Sequence, residues 1–219
     1  MTIAFSLARV VATAMLLNAS TAASAAVSAI ALGDFSGSET VISYDTGNLF
    51  APVDGQVIDG VTHGFAVGGS SSLDATIDIV PGFLDFIDPF NVEGDANGVL
   101  SLTFGTPQTR MGFGWALNLS PPGGGTIALF DGSNNSLGSL VFSSNSGDSN
   151  VPGFATGFAG VQSDVAFLRA EVSWDQTGRF ALDNLRFESS DVNGAPEPAT
   201  AALLAFGLAG LVAARRRKR

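Results

Sequence analysis

Between Glu39 and Phe187 the chain repeats one pattern, a short run of alternating apolar residues followed by a cluster of Gly, Pro, Asn, Asp or Ser. No other feature limits the fold as much. Alternation with period two lines one face of a strand, and a turn cluster ends each run before a helical repeat can form. Nine segments read as strands: Glu39–Tyr44, Val61–Val67, Leu73–Val80, Gly98–Phe104, Gln108–Leu119, Thr126–Phe130, Leu137–Phe142, Val165–Ser173 and Arg179–Phe187. Between them stand Pro121-Pro122-Gly123-Gly124-Gly125, Asp131-Gly132-Ser133-Asn134-Asn135 and Asp175-Gln176-Thr177-Gly178, each rich in turn formers. With no long amphipathic helix in the pattern, the expected fold class is all-β, a jelly-roll-like β-sandwich over residues 27–190. The 27 Gly and the 17 Phe against a single Tyr suit short strands joined by tight turns.

Both ends depart from this pattern. Met1 to Arg9 carries one positive charge, and Val10 to Leu17 is an apolar run too short to span a bilayer. Small residues follow, including Ala23-Ser24-Ala25, so residues 1–26 read as a signal peptide and the mature chain is expected to begin near Ala26. Sec export machinery and a signal peptidase are the implied partners. At the other end a polar linker, residues 191–195, leads to Pro196-Glu197-Pro198, the apolar run Ala199–Ala214 and the basic tail Arg215–Arg219. The two prolines keep the tripeptide extended, and five basic residues behind the expected transmembrane helix hold the C-terminus on the cytoplasmic side.

A PEP tripeptide, a short hydrophobic helix and an Arg-rich end, in that order over Pro196 to Arg219, resemble the PEP-CTERM sorting signal of Gram-negative bacteria that make exopolysaccharide. The resemblance implies processing near Pro196, Glu197 and Pro198 by an exosortase, a membrane cysteine transpeptidase. It also implies a final place at the cell surface or in the biofilm matrix. A plain C-terminal anchor is the alternative. The later half of the middle also resembles β-sandwich domains that precede such tails. The matching pieces are Gly112-Phe113-Gly114-Trp115, the hairpin ending Leu129-Phe130-Asp131-Gly132, the turn Gly157-Phe158-Ala159-Gly160-Val161, and Phe180-Ala181-Leu182-Asp183-Asn184-Leu185-Arg186-Phe187. Lectin-like and carbohydrate-binding modules share such folds, which implies sugar binding by analogy.

Charge narrows the partners. The segment from Val27 to Ala195 holds 19 acids against four arginines, Arg110, Arg169, Arg179 and Arg186, or about −15. Such a surface repels nucleic acid and attracts cations. The absence of cysteine excludes disulfides, thiolate zinc sites and a cysteine nucleophile.

Several residues qualify as site candidates. Glu93-Gly94-Asp95-Ala96-Asn97-Gly98 sets oxygen ligands at alternate positions before a glycine, as a Ca²⁺ loop does, and an acidic hairpin loop is the other reading. An EF-hand-like loop would need an acid where Phe104 stands. Asp183 in the last strand needs a partner if it faces inward, and Arg186 or Ca²⁺ would serve. Alternation sends Asp183 and Asn184 to opposite faces. Trp115 and Trp174 have the flat apolar face that stacks on sugar rings, although strand tryptophans are usually core. His63, the single histidine, excludes any two-histidine site within one chain, and no G-x-S-x-G elbow accompanies it. Carboxylate pairs such as Asp54/Asp59 and Asp85/Asp88 arise freely among so many acids, and the glycines precede no helix that would cradle phosphate. The expected protein is therefore an exported, non-enzymatic β-sandwich that binds extracellular polysaccharide with Ca²⁺ support. A secreted carbohydrate-active enzyme and a purely structural matrix component are the rivals.

Overall fold

The computed structural model describes residues 25–45, 48–79, 84–118, 122–144 and 151–189. Residues 1–24 of the expected leader, the Pro196-Glu197-Pro198 motif and the apolar tail lie outside the described residues. Twelve strands follow in chain order: β1 (Val27–Ala29), β2 (Thr40–Ile42), β3 (Val57–Ile58), β4 (Val61–Val67), β5 (Ser70–Ser71), β6 (Thr76–Ile79), β7 (Phe90–Asp95), β8 (Gly98–Leu117), β9 (Gly123–Phe130), β10 (Ser136–Ser144), β11 (Ala155–Trp174) and β12 (Arg179–Glu188). Every pairing between them is antiparallel. Among the described residues the only helical element is a single 3₁₀ turn, Leu32–Asp34.

Two twenty-residue strands make the sandwich. The first half of β8 pairs with β4 (Val61↔Phe104 to Val67↔Gly98) and with the second half of β11 (Arg169↔Thr103 to Ser173↔Val99). That half of β11 pairs in turn with β9, and β9 with β10, giving one layer. Beyond the bend the second half of β8 pairs with the first half of β11 (Ala155↔Leu117 to Gln162↔Arg110) and with β12; β12 carries β7 and β2, β7 carries β6, and β1 pairs with β11. The register slips between Gln162 and Arg169, opposite the exposed Gly105-Thr106-Pro107 stretch of β8. Pro107 lacks an N–H, so the ladder breaks there and both strands turn from one layer into the other.

Alternate residues of both layers meet inside. Leu100, Leu102, Phe104, Met111, Phe113, Trp115 and Leu117 of β8 are buried with Val61 and Phe65 of β4, Ile127 and Leu129 of β9, and Phe180 and Leu182 of β12. Each large side chain removed from water contributes roughly 1.5–3 kcal/mol, the main force holding a chain without disulfides together. The sequence divides β8 into two strands at Gly105–Pro107; the structure joins them, because the bend keeps the strand continuous. Gly157–Val161, read as a turn, lies in the first half of β11, and β7 covers part of the acidic segment read as a loop.

The two outer faces differ. On the first layer they remain half-exposed, with Gly64 and Ala66 of β4, Ser101 of β8 and Glu171 of β11 alternating with core residues. On the second layer the last seven residues of β8 are buried on both faces, since residues 84–87 and Val151–Phe154 pack over Ala116 and Ala181. Gly114 allows this close approach: a Cβ there would lie 1.9 Å from the Phe86 carbonyl oxygen.

Candidate functional site

The open face of the first layer holds a broad concavity. Gly64 and Ala66 of β4 and Val99 and Ser101 of β8 have side chains too small to fill the space above the sheet, and a trough of about 420 Å³ results. That volume lies within the ~300–1,000 Å³ of ordinary ligand sites. The β4–β5 hairpin forms one wall, turning at Gly68 and Gly69 with φ of 60° and 80°. Its orientation is fixed by Asp54, which accepts the Phe65 N–H at 2.8 Å and the Ser71 hydroxyl at 2.5 Å. The Ser71 bond first, and the Phe65 bond second, hold the Asp54 carboxyl below the usual carboxylate range. Asn97 and Glu171 also border the trough. Glu171 is ion-paired with Arg169, whose guanidinium lies 3.8 Å from the centroid of the Phe130 ring and donates to Asn134 Oδ1 at 2.6 and 3.0 Å. The result is a shallow, largely apolar surface bordered by the oxygens of Asp54, Ser71, Asn97, Ser101 and Glu171.

The residues singled out from the sequence are placed elsewhere, Asn97 and Asp54 excepted. Trp115 is 1% exposed and Trp174 9%, and both lie in the core. Trp174 stacks on Phe180 with centroids 4.9 Å apart, and Trp115 packs on Phe142 and Trp174. Neither indole presents a face to a sugar ring, which corrects the stacking-platform reading. The expected Ca²⁺ set is not assembled either. Glu93 accepts from Arg179 Nε at 2.8 Å, and Asp95 accepts the backbone and side-chain N–H groups of Asn97 at 2.9 and 2.8 Å, closing the β7–β8 hairpin. Asp183 meets other partners. Among the described residues no group of three or more His, Asp or Glu side chains is placed to hold a metal ion.

Asp183 is fully buried on β12 opposite Gly114. Its carboxylate accepts the Asp88 N–H at 2.7 Å and the Asn184 N–H at 2.6 Å, so it fastens the segment that covers the second layer. Alternation fails here because the register shifts between Asp183 and Arg186 and Asn184 takes φ 51°. Both side chains thereby turn toward Asp88, whose Oδ2 accepts from Asn184 Nδ2 at 2.9 Å. Arg186, the partner expected from the sequence, bonds Glu39 instead. Burial pushes the Asp183 carboxyl up to about 7, against the pull of its two backbone hydrogen bonds.

The single tyrosine and the single histidine meet inside the molecule. The Val61 carbonyl can only accept, so His63 Nδ1 donates to it at 3.0 Å, and Nε2 accepts the Tyr44 hydroxyl at 3.0 Å. Burial lowers His63 to about 4 and raises the Tyr44 hydroxyl. A neutral, fully bonded imidazole has a structural role. All four arginines of the acidic segment pair with carboxylates: Arg110 with Glu188, Arg169 with Glu171, Arg179 with Asp74 and Glu93, and Arg186 with Glu39.

Sequence reading missed Ser71, Ser101 and Glu171 as site residues and noted Asp54 only as one of many acids. The available signal was the run of small residues at alternate positions, Gly64-x-Ala66 and Val99-x-Ser101. It becomes a trough only once β4 is known to lie beside β8.

Among solved structures the fold is similar to a family 29 carbohydrate-binding module at 14% identity and a TM-score of 0.37, covering 68% of this chain and 93% of that one. It is also similar to the K2 cleaved adhesin domain of Lys-gingipain (13% identity, TM-score 0.43, covering 70% and 99%). A third likeness is to the enzymatically active domain of bacteriophage CBA120 tailspike protein 4, at 16% identity and a TM-score of 0.35, covering 62% of this chain and 20% of that chain. Likenesses at this level concern the fold and say nothing of a ligand. No curated protein matches the chain. No helix among the described residues is long and apolar enough to cross a membrane. Residues 195–218 match the PEP-CTERM protein-sorting motif, so this chain is an exported β-sandwich protein bearing a PEP-CTERM sorting motif at its C-terminal end.

Proposed function

We propose that the protein is a non-enzymatic, glycan-binding component of the cell surface or extracellular matrix, delivered there by exosortase processing of its tail. The observation that carries the binding half is the trough over Gly64, Ala66 and Ser101. A glycan offers many hydroxyl groups and shallow edges, and carboxylates, amides and hydroxyls on a fixed sheet answer both. A chain of formal charge −10 disfavours anionic polysaccharide, so the ligand class is a neutral glycan. Asp54 and Glu171 both border the trough, as a hydrolase pair would. A glycosidase, however, needs one carboxyl that can carry a proton to the leaving group, whereas Asp54 is held low by its hydrogen bonds and Glu171 is ion-paired with Arg169.

The binding half is tested by applying the purified full-length protein, in detergent, to an array of neutral oligosaccharides. The Ser101→Trp variant, which fills the floor, and Glu171→Gln are run beside it. Retention of at least one neutral glycan, weakened tenfold or more in both variants with no product released, is expected. Equal retention by all three proteins overturns the trough as the site, and released product overturns the non-enzymatic reading. For the delivery half, fractionation of the native host compares wild type with a replacement of Pro196-Glu197-Pro198. Wild type is expected outside the inner membrane and ending near the motif, with the variant retained; full-length protein in the inner membrane in both cases leaves the tail as a plain anchor.

A further inference from the structure

We infer that the export peptidase cuts between Ala25 and Ala26, and that the new α-ammonium of Ala26 forms an ion pair with the Asp164 carboxylate, fastening β1 to β11. The inference rests on the reading of the N-terminal segment as a cleaved leader and adds to it the bond and the partner. Ala26 N lies 2.7 Å from Asp164 Oδ1, and the Asp164 N–H donates back to the Ala26 carbonyl at 3.3 Å. Directly after it, Val27, Ser28 and Ala29 pair with Ser163, Gln162 and Val161, Gln162 Nε2 donates to Ser28 Oγ at 3.0 Å, and the Ile30 N–H donates to Gly160 O at 3.0 Å. The sandwich therefore starts at Ala26, one residue earlier than the sequence boundary at 27. A cut after Ala26 would delete both bonds to Asp164. The small residues Ala23 and Ala25 stand at the two positions that a signal peptidase reads, immediately before this bond.

Chemistry changes at the cut. Water adds across the Ala25–Ala26 amide; Ala25 leaves as a carboxylate, and the Ala26 nitrogen takes up protons to become an ammonium. One N–H donor facing Asp164 is replaced by three donors and a full positive charge at the same place, which makes the hydrogen bond charge-assisted. Among the described residues of the strands packed on β1, no other charge competes for it. β1 packs on β11 and β10; β10 has no titratable side chain, and on β11 Arg169 and Glu171 lie beyond the bend and pair with each other.

The protein exported by the native host tests this, first by the mass of its N-terminal peptide and then by titrating its α-amino group. Lys218 is the only lysine, so an amine-acetylating reagent reports almost solely on that group. The expected first residue is Ala26. Its amino group should titrate above the ordinary range of about 7.7–8.0, return to that range in Asp164→Asn, and rise again in Asp164→Glu. A chain still starting at Met1 overturns the leader reading itself. Cleavage at any other bond leaves export standing and overturns this inference. Ala26 at the N-terminus with the same titration in wild type and Asp164→Asn overturns the ion pair alone.

Discussion

Replacing Asp183 with Asn should expose a pH dependence that the wild-type protein conceals. Two buried groups titrate in opposite senses. Asp183 is raised from 3.8 to about 7, so the unfolded chain ionises first as pH rises. Stability from this group is fully present below about 3.8 and is lost by about pH 7, a change of up to about 4 kcal/mol. His63 is lowered from 6.5 to about 4, so the unfolded chain protonates first as pH falls. Its contribution is intact above about 6.5 and is lost by about pH 4, a change of about 3 kcal/mol. Between pH 4 and 6.5 the two slopes nearly cancel, and the wild type should vary by about 1 kcal/mol or less. The carboxyls held low by hydrogen bonds, Asp54, Asp95 and Asp131, and Glu188, held low by Ser36 and Arg110 against its partial burial, lose their contributions only at the acid edge of this window. In Asp183→Asn the His63 slope stands alone, and stability should fall by about 3 kcal/mol from pH 7 to pH 4; in His63→Gln it should rise over the same range. The amide turns an N–H toward the Asp88 or Asn184 donor, but that loss is the same at every pH, so the slope is the readout. Urea unfolding at half-unit steps from pH 4 to 7.5 measures it. Parallel profiles for wild type and Asp183→Asn would refute the reasoning.

Two further substitutions probe the packing. Gly114→Ala drives a methyl into the Phe86 carbonyl, which is backbone and cannot rotate away, so the covering segment should lift at a cost of about 1–3 kcal/mol, with faster hydrogen exchange at the Asp88 amide; an unchanged thermal midpoint and exchange rate would contradict the geometry. Trp115→Phe should lower the thermal midpoint while the folded variant keeps its glycan retention, because the indole is buried away from the trough; retention lost in a folded variant would return the site to Trp115.

Local signals made most of the architecture legible. Val61–Val67 was readable to the residue because one face is core and the other half-exposed, so alternation survives along its whole length. The bends in β8 and β11 were not readable. Exposed Gly105-Thr106-Pro107 looks like a loop between strands and Gly157–Val161 like a turn, and continuity through them is decided by pairing with a segment distant in sequence. β7 was hidden because Glu93 and Asp95 look like a solvated loop until Arg179 is known to lie across the ladder. Aromatic character marked Trp115 and Trp174 as both core and platform candidates, and only packing distinguishes the two. Glu171 gave no signal, and the small alternate residues up to Ser101 gave one only once β4 is placed beside β8, since a trough is the space between strands rather than a property of any one of them.

The position of β12 also governs when the molecule can become whole. It occupies the slot between β8 and β7, and β2 adds to its other end, so without residues 179–188 the second layer is split in two and Asp183 is not there to fasten the covering segment. Because β12 is the last strand among the described residues, synthesis delivers it after all the others described. The long-range pairing of β8 with β11 makes early closure slow in any case. The emerging chain therefore stays open until this ten-residue strand arrives, and the second layer closes as one late event rather than strand by strand.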